Sequence, residues 1–263
     1  MSKVREITEE IEKIAPKFLQ EDYDNVGLMV GDYNKEVTKV LLTLDCTKEV
    51  INEAIENKCE LIISHHPLLF KKPKNIIKGD LIGDKVISLI KNDISLYSCH
   101  TNLDSAKLGL NSTIVNMLGF EYEKIIEPSN IAGHENEGIG RIIDLKKEVL
   151  LTELVDLIKN KLNIKNMRAV ISNEKVKKIA IINGSGQDLF YEAKGMGADC
   201  IISGDTTYHF ASDFKEMGIS IIDAGHFSTE WLVFLKTLEF LKEKFKDIEF
   251  ISSKKNDDPY DFI

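Results

Sequence analysis

An apolar strand ending in serine occurs twice in this chain, and that repetition limits the fold more than any other feature. Leu61-Ile-Ile-Ser64 and Cys200-Ile-Ile-Ser203 align without a gap at a shift of 139 residues. At the same shift Glu53 falls on Glu192, Ala54 on Ala193, Ile62 on Ile201 and Ile63 on Ile202. A second block repeats at a shift of 125: Asp93-Ile-Ser-Leu-Tyr-Ser-Cys-His100 resembles Gly218-Ile-Ser-Ile-Ile-Asp-Ala-Gly225. Helix-patterned residues follow each block, at 108–118 and 229–245. Register kept over two separate blocks points to an internal duplication rather than to chance likeness between β-α-β stretches. Short β-branched, apolar runs at 39–45, 61–64, 178–183 and 200–203 read as buried strands. They alternate with helical patterns at 47–57 and 187–194. That alternation predicts an α/β fold of two similar lobes with mostly parallel strands. The lobes are expected at 1–126 and 127–263. The second is expected to open with a connecting segment, 127–175: a loop at 127–140, a strand at 141–145, a helix at 152–162 and a strand at 167–171. A helix is expected over 3–20, where Ile7, Ile11, Ile14, Phe18 and Leu19 recur at helical spacing. The polar residues from Ser252 on read as a surface tail.

Composition excludes several classes. With 263 residues, 43% of them hydrophobic, the chain can bury one large core or two small ones and is not disordered. No apolar run approaches the roughly 18–20 residues of a membrane span. The charged, helical N-terminus does not read as a signal peptide. The four cysteines form no C-x-x-C pair, so neither a zinc ribbon nor a disulfide framework is expected, and a reducing cytoplasm is the expected setting. A net charge of −9 argues against a nonspecific nucleic-acid binder.

The histidines carry the chemistry. His65 and His66 stand where an apolar strand ends, and ligands of α/β sheets bind at the carboxyl ends of strands. Successive strand residues face opposite ways, so both rings reach one site only if the strand breaks, which Pro67 favours. Asp104 follows the next strand. His226 follows the matching strand of the second lobe, with Glu230 one helical turn beyond it, a spacing that puts both side chains on one face. Imidazoles with carboxylates suit Zn, Mn, Fe, Ni or Co. Three histidines and two carboxylates from equivalent strand ends are enough for two ions, which roughly 3.5–4 Å apart can activate water as a nucleophile. Taken singly, each has a plainer explanation: a surface His-His pair, or an aspartate capping a helix. Their shared position in the duplicated fold favours the joint reading, with the site at strand ends between the lobes.

The motifs Asp24-Asn-Val-Gly-Leu-Met-Val-Gly31, Ser64-His-His-Pro-Leu68, His100-Thr-Asn-Leu-Asp104, Ser203-Gly-Asp-Thr-Thr-Tyr-His209 and Gly225-His-Phe-Ser-Thr-Glu230 span nearly the whole chain. In that order they resemble the dinuclear metal-centre hexameric protein family. Its bacterial members carry the label GTP cyclohydrolase I type 2 homolog, and its eukaryotic members are the NGG-one-interacting factor three-like proteins. The resemblance implies metal ligands at His65, His66, Asp104, His226 and Glu230, a single family domain built of both lobes, and a toroidal homohexamer with the sites facing an internal cavity. Ser203-Gly-Asp205 stands where relatives often have Thr-Gly-Glu. Some relatives carry a large extra domain between the lobes; this chain resembles the compact form.

His209 and His100 lie just past strand ends and are the candidate catalytic residues, as general acid or base or in orienting a substrate; backbone partners near the site would also account for them. Asp45 could hold a ligand imidazole in its tautomer or cap the next helix. Asn183-Gly-Ser-Gly186 reads as a tight turn, or as backbone N–H groups presented to a phosphate. Two functions follow. One is a metal-dependent hydrolase using two divalent ions on a nucleotide or another phosphate-containing small molecule. The other is a metal-binding or regulatory hexamer without turnover. Threading of DNA through a ring is disfavoured by the charge.

Overall fold

The computed structural model describes residues 1–261 and 263. In chain order its elements are α1 Val4–Ile14, β1 Gly27–Val30, β2 Lys39–Thr43, α2 Lys48–Glu56, β3 Leu61–Ser64, α3 Leu81–Lys91, β4 Ser95–Ser98, α4 Thr101–Ser105, α5 Leu110–Met117, β5 Lys124–Pro128, β6 Gly138–Leu150, α6 Leu151–Leu162, β7 Arg168–Val170, β8 Lys175–Ser185, α7 Phe190–Gly195, β9 Cys200–Gly204, α8 Tyr208–Glu216, β10 Ser220–Asp223, α9 His226–Thr237, α10 Phe240–Lys244 and β11 Glu249–Ser252. They form a mixed α/β structure with two sheets. Among the described residues no helix is long and apolar enough to cross a membrane.

Met1–Ala106 with Phe234–Asp257 makes one compact unit, and Lys107–Val233 with Asp258–Ile263 the other. The sheet of the first runs β1-β4-β3-β2-β11. Its strands are parallel except β1, which pairs antiparallel with β4. The sheet of the second runs β5-β6-β8-β9-β10-β7, with β8, β9 and β10 parallel and β5, β6 and β7 antiparallel to their neighbours. Each unit therefore holds three parallel strands in sequence order, with an antiparallel strand beyond the third. The repeated strands β3 and β9 are the middle strand of each trio. All residues of β3, β4, β9 and β10 are buried, as apolar layers on both faces of a parallel sheet require. Ile51, Ile62 and Leu96 pack in the core of the first unit, and Ala180, Phe190, Ile201 and Phe214 in that of the second.

The boundaries differ from the sequence expectation in four places. The first helix stops at Ile14 rather than 20, because Pro16 disfavours helical geometry at Ala15; Lys17–Leu19 is a separate 3-10 turn, and Phe18 is exposed. The division does not fall at 126/127. Strand β11 pairs with β2, which returns the C-terminal region to the first unit, while α5 packs on β6 and β8 of the second. Buried Arg141 of β6 fastens that helix, with Nε and Nη2 donating to Ser112 Oγ at 3.3 and 3.0 Å and Nη1 to the carbonyls of Gly138 and Gly140. Residues 127–175 are not a mere connection: β5 and β6 form an antiparallel hairpin that extends the second sheet next to β8. The polar tail is not wholly a surface end, because Asn256 is buried. Its Oδ1 accepts from Thr43 Oγ1 and Leu44 N, each at 2.9 Å, and from Asp45 N at 3.3 Å, tying the tail to the end of β2.

Candidate metal centre

In the first unit the parallel strands end level. Ser64 is in register with Thr43 on one side and Ser98 on the other, so residues just past these positions gather at one edge. The strand stops at Ser64, one residue before His65, and the alternation of faces stops with it. His65 N donates to Thr43 O at 3.1 Å and His66 N to Leu44 O at 2.9 Å, while Ser64 Oγ bonds the His66 carbonyl at 2.9 Å. These bonds hold both imidazoles toward a common place. Ligand atoms of His65, His66 and His100 all lie within 4.8 Å of one another. Asp104, on α4, brings Oδ1 to 3.7 Å from His65 Nε2.

Each ring of this cluster is oriented from its Nδ1 side. His65 Nδ1 lies 2.9 Å from Cys99 O, His66 Nδ1 3.0 Å from Asp45 Oδ1, and His100 Nδ1 3.0 Å from Asp24 Oδ1. A carbonyl and a carboxylate only accept, so each Nδ1 must carry the proton, and in the neutral ring the lone pair then sits on Nε2. This is the arrangement by which metal-binding imidazoles are fixed in tautomer and angle. Of the two roles open to Asp45, the structure shows the contact to His66; the N-cap of α2 is Thr47, whose side chain accepts from Val50 N. Asp24 also accepts from Thr101 N at 3.0 Å, from the Thr101 hydroxyl and from Asn25 N at 2.7 Å. Burial would raise its pKa, but the bond and charge of His100 and these further donors outweigh it and hold the carboxyl at about 2.

The second unit repeats the device. Strand β10 ends at Asp223, Gly225 turns the chain at φ 86°, and His226 opens α9. Its Nδ1 lies 2.9 Å from Asp205 Oδ2, and its Nε2 lies 3.1 Å from Oε2 of buried Glu230. Asp205 stands just past the end of β9 with φ 54°, a left-handed conformation that aspartate tolerates better than most residues. The Asn183-Gly-Ser-Gly186 segment straps the start of α9. Asn183 Nδ2 donates to Thr229 O at 2.8 Å, and Gly184 N to Thr229 Oγ1 at 3.0 Å. Gly184 has φ 58°, and a Cβ there would lie 2.1 Å from Glu230 Oε1. At Gly204 a Cβ would lie 2.5 Å from His226 N. Both positions require glycine for the carboxylate and imidazole to sit where they do.

These donors fit a divalent cation. Two ligands of one tetrahedral ion, with bonds of about 2.1 Å, stand about 3.4 Å apart. The His226–Glu230 and His65–Asp104 atom pairs, at 3.1 and 3.7 Å, bracket that spacing. Neutral imidazole with carboxylate matches the preferences of Zn and its first-row neighbours. The five expected ligands thus fall into two sets, His65, His66 and Asp104 in the first unit and His226 and Glu230 in the second, with His100 beside the first. His209 is exposed on α8, its ring 5.6 Å from that of Tyr208, and belongs to no cluster of three potential ligands among the described residues. The sequence motifs contain Asp24 and Asp205 but gave neither a role. Each is far in sequence from the ring it holds, 76 and 21 residues, so no local pattern joins them.

Fold and donor sets define an α/β protein with candidate metal-binding groups of histidines and carboxylates at strand ends. Residues 2–259 match the family described as Duf34/NIF3 (NGG1p interacting factor 3), and the chain belongs to that family. A Clostridium perfringens protein named GTP cyclohydrolase 1 type 2 homolog is 56% identical over 263 residues, covering 99% of this chain and 100% of the relative. A protein of the same name from Clostridium acetobutylicum is 48% identical, covering 99% of this chain and 98% of the relative. Among solved structures, a Staphylococcus aureus hypothetical protein superposes with a TM-score of 0.89 at 34% identity over 99% of each chain. Reduced HcgD from Methanocaldococcus jannaschii superposes at 0.82 with 35% identity, over 96% of this chain and 98% of that one.

Proposed function

We propose that the protein binds two divalent metal ions through His65, His66, Asp104, His226 and Glu230, and hydrolyses a nucleotide or another phosphate-containing small molecule. One observation carries the reading: the three proposed ligand histidines, His65, His66 and His226, drawn from both repeats, are each fixed by an oxygen acceptor at Nδ1, which leaves Nε2 as the ligating nitrogen, and His100, beside His65 and His66, is fixed in the same way. Structural histidines have no need of one tautomer repeated four times. Bound divalent ions would polarise a phosphoryl or carbonyl oxygen and activate water. The chain's own groups do the rest. Asp45, Asp24 and Asp205 hold the imidazoles at fixed angles. His100, beside His65 and His66, is the proposed proton-transfer group. His209 is proposed as an acid, base or substrate-orienting residue on its position past the end of β9. The name carried by the Clostridium relatives makes GTP ring opening one candidate reaction. We further propose, from the family resemblance, a homohexamer acting in the cytoplasm. Light scattering on the purified protein would read six chain masses if the first of these holds.

The test of catalysis is a panel of nucleotides and phosphate monoesters, assayed with Zn, Mn, Fe, Ni or Co added singly. Turnover that requires one of these metals and falls at least a hundredfold in His226→Ala supports the reading. A silent panel on protein that retains its metal would overturn hydrolysis and leave a metal-binding assembly.

A further inference from the structure

The second unit sets a carboxylate where the first has a hydroxyl. At the 125-residue shift of the repeat, Asp223 at the end of β10 falls on Ser98 at the end of β4. Ser98 Oγ lies 2.8 Å from Ser64 Oγ, a neutral tie between neighbouring strands. Asp223 is buried, and a buried charge persists only with partners. It has three. Its Oδ2 accepts from Thr206 N at 3.0 Å and from Arg168 Nη2, and its Oδ1 accepts from Gly225 N at 3.1 Å. Arg168 stands directly opposite Asp223 in the antiparallel pairing of β7 with β10, and the same Nη2 donates to Thr206 O at 3.3 Å. Both backbone donors are one residue from a group of the metal centre. Thr206 follows Asp205, and Gly225 precedes His226. Asp205 is left-handed at φ 54° without being glycine, a conformation that persists only where the surroundings enforce it. From the other flank, Gln187 Oε1 accepts from Thr207 N at 3.1 Å. The loop after β9 is thus tied on both sides, and Asp205 Oδ2 comes to 2.9 Å from His226 Nδ1.

We propose that Asp223 and Arg168 are positioning residues of the second ligand set: they clamp the loop at 205–206 to the turn at 224–225 and so hold the Asp205 carboxylate on His226 Nδ1. The inference rests on the metal-site reading above and names the device that presents His226 to an ion. Neither residue is a ligand. Asp223 joins the two segments through their backbone N–H groups, while Arg168 offsets its buried charge and holds the Thr206 carbonyl. One nitrogen of Arg168 makes both bonds, so the ammonium of a lysine can reproduce them where alanine cannot.

The experiment is NMR of the full chain, isotope-labelled at its histidine nitrogens, in which exchange of each imidazole Nδ1 proton with water is measured. The His226 signal is identified by its loss in His226→Ala. A proton bonded to a carboxylate is protected. Arg168→Ala trims a side chain that is 69% exposed, so the fold is kept. It should speed exchange at His226 by about tenfold, the effect of losing one hydrogen bond to a charged group. Asp223→Asn should speed it at least as much, and Arg168→Lys should restore most of the protection. The His65 proton, held by Cys99 O in the first unit, should exchange as in the wild type, which separates lost positioning from general loosening. In zinc titrations Arg168→Ala should bind one ion about tenfold more weakly and the other unchanged. Exchange at His226 unaltered in both Arg168→Ala and Asp223→Asn would overturn the proposal, and so would faster exchange with both zinc affinities intact. A wild-type protein that takes up no zinc would sink the metal reading alone, because the His226 proton still reports whether the clamp holds Asp205 in place.

Discussion

Gly184 shows how closely the donor groups are set. Its φ is positive, and a Cβ on it would meet Glu230 Oε1 at 2.1 Å, which leaves no room for a side chain. Gly184→Ala should cost about 2 kcal/mol in urea unfolding, from left-handed strain and displaced neighbours together. It should also lower metal content, because Glu230 must move; an unchanged stability and metal content would mean that the strap has slack. The positions proposed as ligands could be picked out from the sequence, since His65, His66 and His226 follow strands that the repeat identifies. The residues that orient them were less so. Asp45 could be named because it ends a strand next to the one before His65, but Asp24 and Asp205 reach their rings through folding alone.

At the scale of elements, the parallel trios were readable because their strands are short, apolar and β-branched. Of the hairpin of β5 and β6 only the stretch 141–145 was, as an isolated strand. Its Gly- and Asn-containing turn looks like loop, and β6 carries charged residues along its second half, so its pairing with β8 is decided by neighbours distant in sequence. The same holds for the tail. Nothing in Ser-Ser-Lys-Lys-Asn reveals that Asn256 completes the end of β2, where its side-chain oxygen meets three donors. Asn256→Ala should destabilise the protein by about 1–3 kcal/mol, because buried Thr43 and Leu44 lose an acceptor. The urea midpoint measures this, and a shift near zero would show that the tail contributes little to β2.

For the whole molecule, burial makes the thiols reporters of integrity. Cys46 and Cys59 are pushed up to about 12 by burial, and Cys99 and Cys200 are raised further by the same cause. The thiolate is the reactive form, so at pH 8 a chromogenic disulfide reagent should modify none of the four on the timescale of minutes and all four in guanidinium. Three of them lie in the first unit and Cys200 in the second, so partial release in intermediate denaturant would report separate unfolding of the two. Prompt reaction in buffer would contradict the packing described.

The proposed function turns on metal. The decisive measurement is metal content per chain by inductively coupled plasma mass spectrometry, on protein made without chelator or histidine tag, beside a His65→Ala/Glu230→Ala variant that removes one ligand from each repeat. The proposed function predicts about two ions per chain in the native protein and loss of most of them in the variant. Protein that carries no metal and takes up none of Zn, Mn, Fe, Ni or Co would contradict it, leaving the four oriented imidazoles as structural groups.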